Sequence, residues 1–191
     1  MGLPLVNVRN IKQGRQQYQN TNIYRGLKVW ADESRNDAIS GPLILDIDNE
    51  SEDLSDALVV TKETLEYLRS SYNIRDNDIH IFFTGHKGFN LEIRPEAVDI
   101  VGTQKEQESK AGDLRKEVIK KLQQGKNLGC NYVSERGTLI DPIHKHVRLH
   151  CSLNKWISKT GDEIARMKIE LSISDLDSLT IEKIIAKSES N

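Results

Sequence analysis

The chain has 191 residues, 37% hydrophobic and 29% charged, with a formal net charge of −2. That length fits one domain, and that apolar content supports a core, which excludes wholesale disorder, a collagen-like chain and a disulfide scaffold. No apolar run reaches the ~18–20 residues that span a bilayer, and no basic flank with an apolar stretch opens the chain, so a cytoplasmic, non-membrane protein is expected. Cys130 and Cys151 are too few for a disulfide framework and read as reduced thiols.

The charge is unevenly spread. Residues 1–103 carry 11 Lys and Arg against 16 Asp and Glu, residues 104–168 carry 14 against 8, and residues 169–191 carry 2 against 5. A basic middle beside an acidic first part suits a polyanion next to a carboxylate cluster, or is ordinary solvated charge.

In chain order, residues 1–40 are polar and give little periodic signal, with a Gln/Asn-rich patch at Gln16–Asn22. Gly41-Pro42 then introduces a buried strand, Leu43–Asp48. Ser51 or Asp53 caps a helix whose apolar positions Leu54, Leu58, Leu65 and Leu68 share one face, and which ends near Ser71–Asn73. A second strand, Asp78–Thr84, leads through Gly85-His86-Lys87-Gly88 to a third, Phe89–Ile93, stopped by Pro95. Gly102–Ser109 reads as a polar surface loop, and 112–124 as an amphipathic helix. Short strands are expected at Thr138–Ile140 and Val147–Ser152. Met167, Ile169 and Leu171 alternate with Arg166, Lys168 and Glu170, predicting a strand with one wet face. A terminal helix over 178–187 follows Ser178 or Thr180. The pattern is mixed α/β.

Three segments carry chemistry. Asp46 and Asp48 point to one face of a strand, two carboxylates beside a buried run, where a divalent cation would relieve their repulsion. Oxygen-only ligands favour Mg²⁺ or Mn²⁺. The alternative is a strand running out into an Asp-rich loop. In Thr84–Asn90, two glycines flank Lys87, so backbone N–H groups and an ammonium can approach a phosphate; the alternative is a hairpin turn with a solvent-facing lysine. The third segment runs from Leu139-Ile140-Asp141-Pro142 through Arg148, Ser152 and Asn154 to Lys159-Thr160-Gly161. His144, His146, His150 and Cys151 lack the paired spacing of a zinc site.

Together, these segments resemble the archaeo-eukaryotic primase superfamily, the primase small subunits and primase–polymerases. "LILDIDN" is similar to its first catalytic motif, "FFTGHKGFNLEI" to its second, usually SGxKGFHV, and "LIDPIHKHVRLHCSLNKWISKTG" to its third with the RLPGSLHxKTG segment. The resemblance spans about residues 24–171, so the chain is expected to be one catalytic domain over 1–191. It implies a two-subdomain α/β core with a mixed sheet carrying a carboxylate triad. It implies that Asp46, Asp48 and Asp141 are catalytic and hold two Mg²⁺ or Mn²⁺ ions. It implies that Thr84, Lys87, Gly88, Asn90, Arg148, Ser152, Asn154 and Lys159 bind the nucleotide.

The implied activity is template-directed addition of NTPs or dNTPs to a nucleic-acid 3′ end. The expected partners are a DNA template, the nucleotide, and a helicase or large primase subunit in trans. The alternative is a catalytically weak nucleotide- or nucleic-acid-binding module. Two departures stand out: Asn90 and Asn154 replace the family's histidines, which should weaken contact with phosphate. A third, His150-Cys151, replaces Pro-Gly.

Overall fold

The computed structural model describes residues 24–26, 28–30, 38–40, 42–49, 52–100, 102–122, 132–133, 138–141, 146–148 and 151–189. The Gln16–Asn22 patch, Cys130, His144 and His150 lie outside them. Twelve strands are described: β1 (Tyr24–Gly26), β2 (Lys28–Trp30), β3 (Ala38–Ser40), β4 (Leu43–Asn49), β5 (Ile79–Phe83), β6 (Gly88–Ile93), β7 (Tyr132–Val133), β8 (Thr138–Asp141), β9 (His146–Arg148), β10 (Leu153–Ile157), β11 (Glu163–Met167) and β12 (Ile169–Leu171). The helices are α1 (Leu54–Tyr72), α2 (Gln104–Leu122), α3 (Ile173–Ser178) and α4 (Ile181–Glu189). No described helix is long and apolar enough to cross a membrane.

The centre is a six-stranded sheet in the order β12-β5-β6-β4-β8-β7. The fold is mixed α/β, but this sheet is not mixed: every described pairing in it is antiparallel. The β4–α1–β5 crossover makes β4 and β5 run the same way, yet they do not touch. The short turn after β5 slots β6 between them, antiparallel to both.

Strand alternation divides the sheet into two faces. Leu43, Leu45 and Ile47 of β4, Phe89, Leu91 and Ile93 of β6, and Ile79, Ile81 and Phe83 of β5 form the core face. α1 packs on β4 and β6 through Leu54, Ala57, Val60, Leu65 and Leu68, spaced for one helical face. Asp53 caps α1 by accepting from the N–H groups of Ser55 and Asp56, and Asn73 ends it in the left-handed conformation (φ 52°). The other face carries Asp46 and Asp48, Asn90 and Glu92, and His80 and Phe82.

Three expectations change. Gly102–Ser109 is not a loop, because α2 begins at Gln104. Thr103 and Glu106 set the start: the Glu106 carboxylate accepts from the Thr103 N–H at 2.8 Å and from its hydroxyl at 2.7 Å, which holds Glu106 below the usual carboxylate range. Of the strand expected over Val147–Ser152, Val147 and Arg148 lie on β9, whereas Cys151 and Ser152 lie in no strand and a new one begins at Leu153. The helix expected over 178–187 is α4, starting at Ile181 after Thr180, and it is preceded by a short helix that was not expected, α3, set off by extended Leu179 (φ −89°, ψ 137°). Ser172 and Asp175 form a capping box on α3, and backbone and side-chain hydrogen bonds from Ser172 help keep the Asp175 pKa low.

Candidate active site

The site is built from β4 outward. Asp46 is opposite Asn90 on β6 and opposite Asp141 on β8. Asp48, two residues on and on the same face, is opposite Gly88 and Leu139. The fold therefore brings the three acidic positions of the sequence to neighbouring places on adjacent strands. Asp141 is described by this backbone register alone.

Gly88 is fixed by the close approach of β4. A Cβ there would lie 1.9 Å from the Ile47 carbonyl oxygen and 2.4 Å from Asp48 Oδ1. Lys87 precedes it, with Nζ 3.5 Å from Asp48 Oδ2 and both side chains 27% exposed. The turn is fastened at both ends. The Thr84 N–H and hydroxyl each donate to the Gly88 carbonyl at 3.0 Å, and the Asn49 N–H donates to the Lys87 carbonyl at 3.0 Å. Buried Asn49 also accepts from the Asp53 N–H at 3.1 Å, tying the end of β4 to the start of α1.

The β10–β11 hairpin closes over this turn. Asn154, buried, donates to the Thr84 carbonyl at 3.3 Å. His86 stacks on Trp156 with ring centroids 4.1 Å apart, and the Arg166 guanidinium stands 5.4 Å from the same indole. Ser152 is buried, and its carbonyl accepts from the Lys168 N–H at 3.0 Å. Lys159 sits apart, exposed in the hairpin turn, up to about 16 Å along the strand from Asn154. Arg148 lies on β9, paired through Tyr24 with β1. Thr84, Lys87, Gly88, Asn90 and Asn154 thus gather around β4 and its neighbour; Lys159 lies at the far tip of the β10–β11 hairpin, and Arg148 is placed by the β1–β9 pair.

Asn90 is 3% exposed. Its amide nitrogen donates to Asp46 Oδ1, and its carbonyl accepts from Lys168 Nζ at 2.8 Å. Lys168 is itself 0% exposed and paired with Glu92 at 3.0 Å. This corrects the wet face expected for Arg166, Lys168 and Glu170: Glu170 is exposed, but Lys168 is buried. Period-two alternation assigns a face without saying what covers it. A signal was available in β6, where Asn90 and Glu92 share a face between buried apolar neighbours, and a buried carboxylate calls for a cation.

Cys151, in the place where the resembled motif has glycine, takes φ 60°. That is a left-handed conformation glycine adopts without steric cost. Hard oxygen donors at Asp46 and Asp48 suit Mg²⁺ or Mn²⁺. Among the described residues no group of three or more His, Cys, Asp or Glu forms a ready metal cage, so the fit depends on Asp141 completing the set from β8. Comparison with protein-family models, curated proteins and solved structures gave no match.

Proposed function

We propose that this chain is a metal-dependent, template-directed nucleotidyltransferase of the primase–polymerase type, extending a nucleic-acid 3′ end with NTPs or dNTPs. The observation that carries the reading is the backbone register that sets Asp141 directly across from Asp46, with Asp48 two residues along the same face. Three further features support it. A turn that only glycine can close lies against Asp48. A lysine stands beside that carboxylate. The backbone at Cys151 is glycine-like.

Bound between the three carboxylates, two divalent ions would activate the attacking 3′-hydroxyl and steady the triphosphate. The protein's own groups do the rest. Asp46 keeps one oxygen on the Asn90 amide, which holds the carboxylate in place on the sheet face. Lys87 is close enough to Asp48 to exchange that partner for an arriving phosphate. Exposed Lys105, Lys110, Lys116 and Lys120 line α2, where a template backbone would find positive charge.

Incubation with Mn²⁺, labelled dNTPs or NTPs and a primed template tests the reading. Extension by the wild type, abolished in Asp46→Ala, Asp48→Ala and Asp141→Ala with the fold retained, is the expected result. Shortening of the primer would make the chain a nuclease. A second reading, a nucleotide- or nucleic-acid-binding module, is favoured by the protein partners already held by Asp46 and Asp48. Binding with no change in primer length would establish it.

A further inference from the structure

Lys168 has no exposed surface. An ammonium taken out of water is costly unless it is paired and hydrogen-bonded. Its described contacts are Glu92 Oε1 at 3.0 Å, Asn90 Oδ1 at 2.8 Å and the face of Phe82 with the ring centroid at 4.5 Å. Lysine offers three donors and no acceptor, so only the carbonyl end of the Asn90 amide can face it. An ionised carboxylate only accepts, so only the NH₂ end can face Asp46. Two neighbours of opposite character fix one orientation of one amide.

The backbone puts Lys168 in reach of both. It is the single residue between β11 and β12, where the chain leaves the β10–β11 hairpin and joins the edge of the six-stranded sheet. Its N–H donates to the Ser152 carbonyl at 3.0 Å, and its carbonyl accepts from the Cys151 N–H at 2.8 Å. The hairpin holds its main chain while its side chain enters the sheet face that carries Asp46. Glu92 balances the ammonium, so the site gains an oriented donor without net positive charge.

We propose that Lys168 is a positioning residue for the Asp46 carboxylate, acting through the Asn90 amide; its consequence for metal binding rests on the function proposed above. Lost hydrogen bonds behind a metal ligand typically weaken metal affinity about 10–100-fold.

The test reads the Asn90 side-chain amide by ¹⁵N-edited NMR on the metal-free full chain, alongside Mn²⁺ binding followed by electron paramagnetic resonance. In the wild type, the two NH₂ protons should be well separated and slow to exchange with water. Lys168→Met alone would strand Glu92 as a buried anion, and Glu92→Gln alone would strand Lys168 as a buried cation, so the informative variant is the charge-balanced double, Lys168→Met with Glu92→Gln, compared with the wild type. The amide signature should vanish in the double variant, whose Mn²⁺ affinity should fall about tenfold below that of the wild type. A wild-type Asn90 amide that exchanges freely overturns the proposal without any variant. A double variant that keeps the signature overturns it too. So does one that loses the signature with unchanged Mn²⁺ affinity. A wild type that binds no Mn²⁺, with an Asn90 signature that still depends on Lys168, contradicts the metal reading and upholds the orienting role.

Discussion

Two glycine turns in this chain each carry a lysine, and they sit in opposite surroundings. In the Gly85–Gly88 turn, Gly88 is required by its neighbours: a Cβ would collide with the Ile47 carbonyl oxygen at 1.9 Å. Lys87 beside it is drawn in toward Asp48. In the Ser158–Asp162 turn, Gly161 is required by its own backbone, at φ 89°, and a Cβ there would meet nothing within 4 Å. That turn is closed by bonds among its own residues: the Asp162 N–H to the Ser158 hydroxyl at 3.1 Å, the Gly161 N–H to the Ser158 carbonyl at 3.0 Å and the Thr160 hydroxyl to the Asp162 carboxylate at 2.6 Å. A sequence shows the same Gly-and-Lys vocabulary in both places. What separates a site turn from a hairpin turn is whether a second strand lies against the glycine.

That contrast ranks four outcomes. Gly88→Ala should do most, because the obstacle is main chain that cannot swing aside. A loss of about 3 kcal/mol in chemical denaturation is expected, at the upper end of typical overpacking costs, together with loss of nucleotidyl transfer. A near-neutral result would mean that β4 and β6 are further apart than described. Lys87→Met should weaken nucleotide binding about tenfold, the effect of losing one charge-assisted contact worth roughly 1.5 kcal/mol, while Lys159→Met should change it less than about twofold. Equal losses, measured by nucleotide titration, would bring the hairpin tip to the phosphates and dissolve the contrast. Gly161→Ala should cost about 1 kcal/mol, the strain of a side chain in a left-handed conformation, with activity unchanged. Cys151→Gly should have the smallest effect. Relief of the same strain at φ 60° is offset by the greater freedom of glycine in the unfolded chain, leaving stability within about 0.5 kcal/mol of wild type. A large loss there would show that the thiol itself is needed.

Much of the sheet's centre was legible in the residues. β4, α1, β5, the Gly85–Gly88 turn and β6 follow from an apolar alternation, an Asp cap and paired glycines, all local signals. The antiparallel insertion of β6 between β4 and β5 was not legible, because strand order is set by long-range pairing. The first turn of α2 was hidden by its polar composition, although Thr103 and Glu106 mark its start. Asn90 could be placed in the site by its neighbours in the motif, but its task could not: that depends on Lys168, 78 residues later, entering the sheet from a strand that changes partners. Alternation alone made Lys168 look like surface, since a period-two pattern cannot tell a wet face from one covered by another part of the chain.

If Asp46, Asp48 and Asp141 act as one metal site, each of the three must contribute to metal affinity. Mn²⁺ titration of the wild type and of Asp46→Asn, Asp48→Asn and Asp141→Asn, each checked for retained fold by circular dichroism, tests it most directly. Each asparagine keeps the shape of the side chain and removes the charge. The expected result is saturable Mn²⁺ binding in the wild type and at least about a tenfold loss in every one of the three variants. Wild-type affinity in Asp141→Asn, the residue tied to the others by β8 register alone, would contradict it.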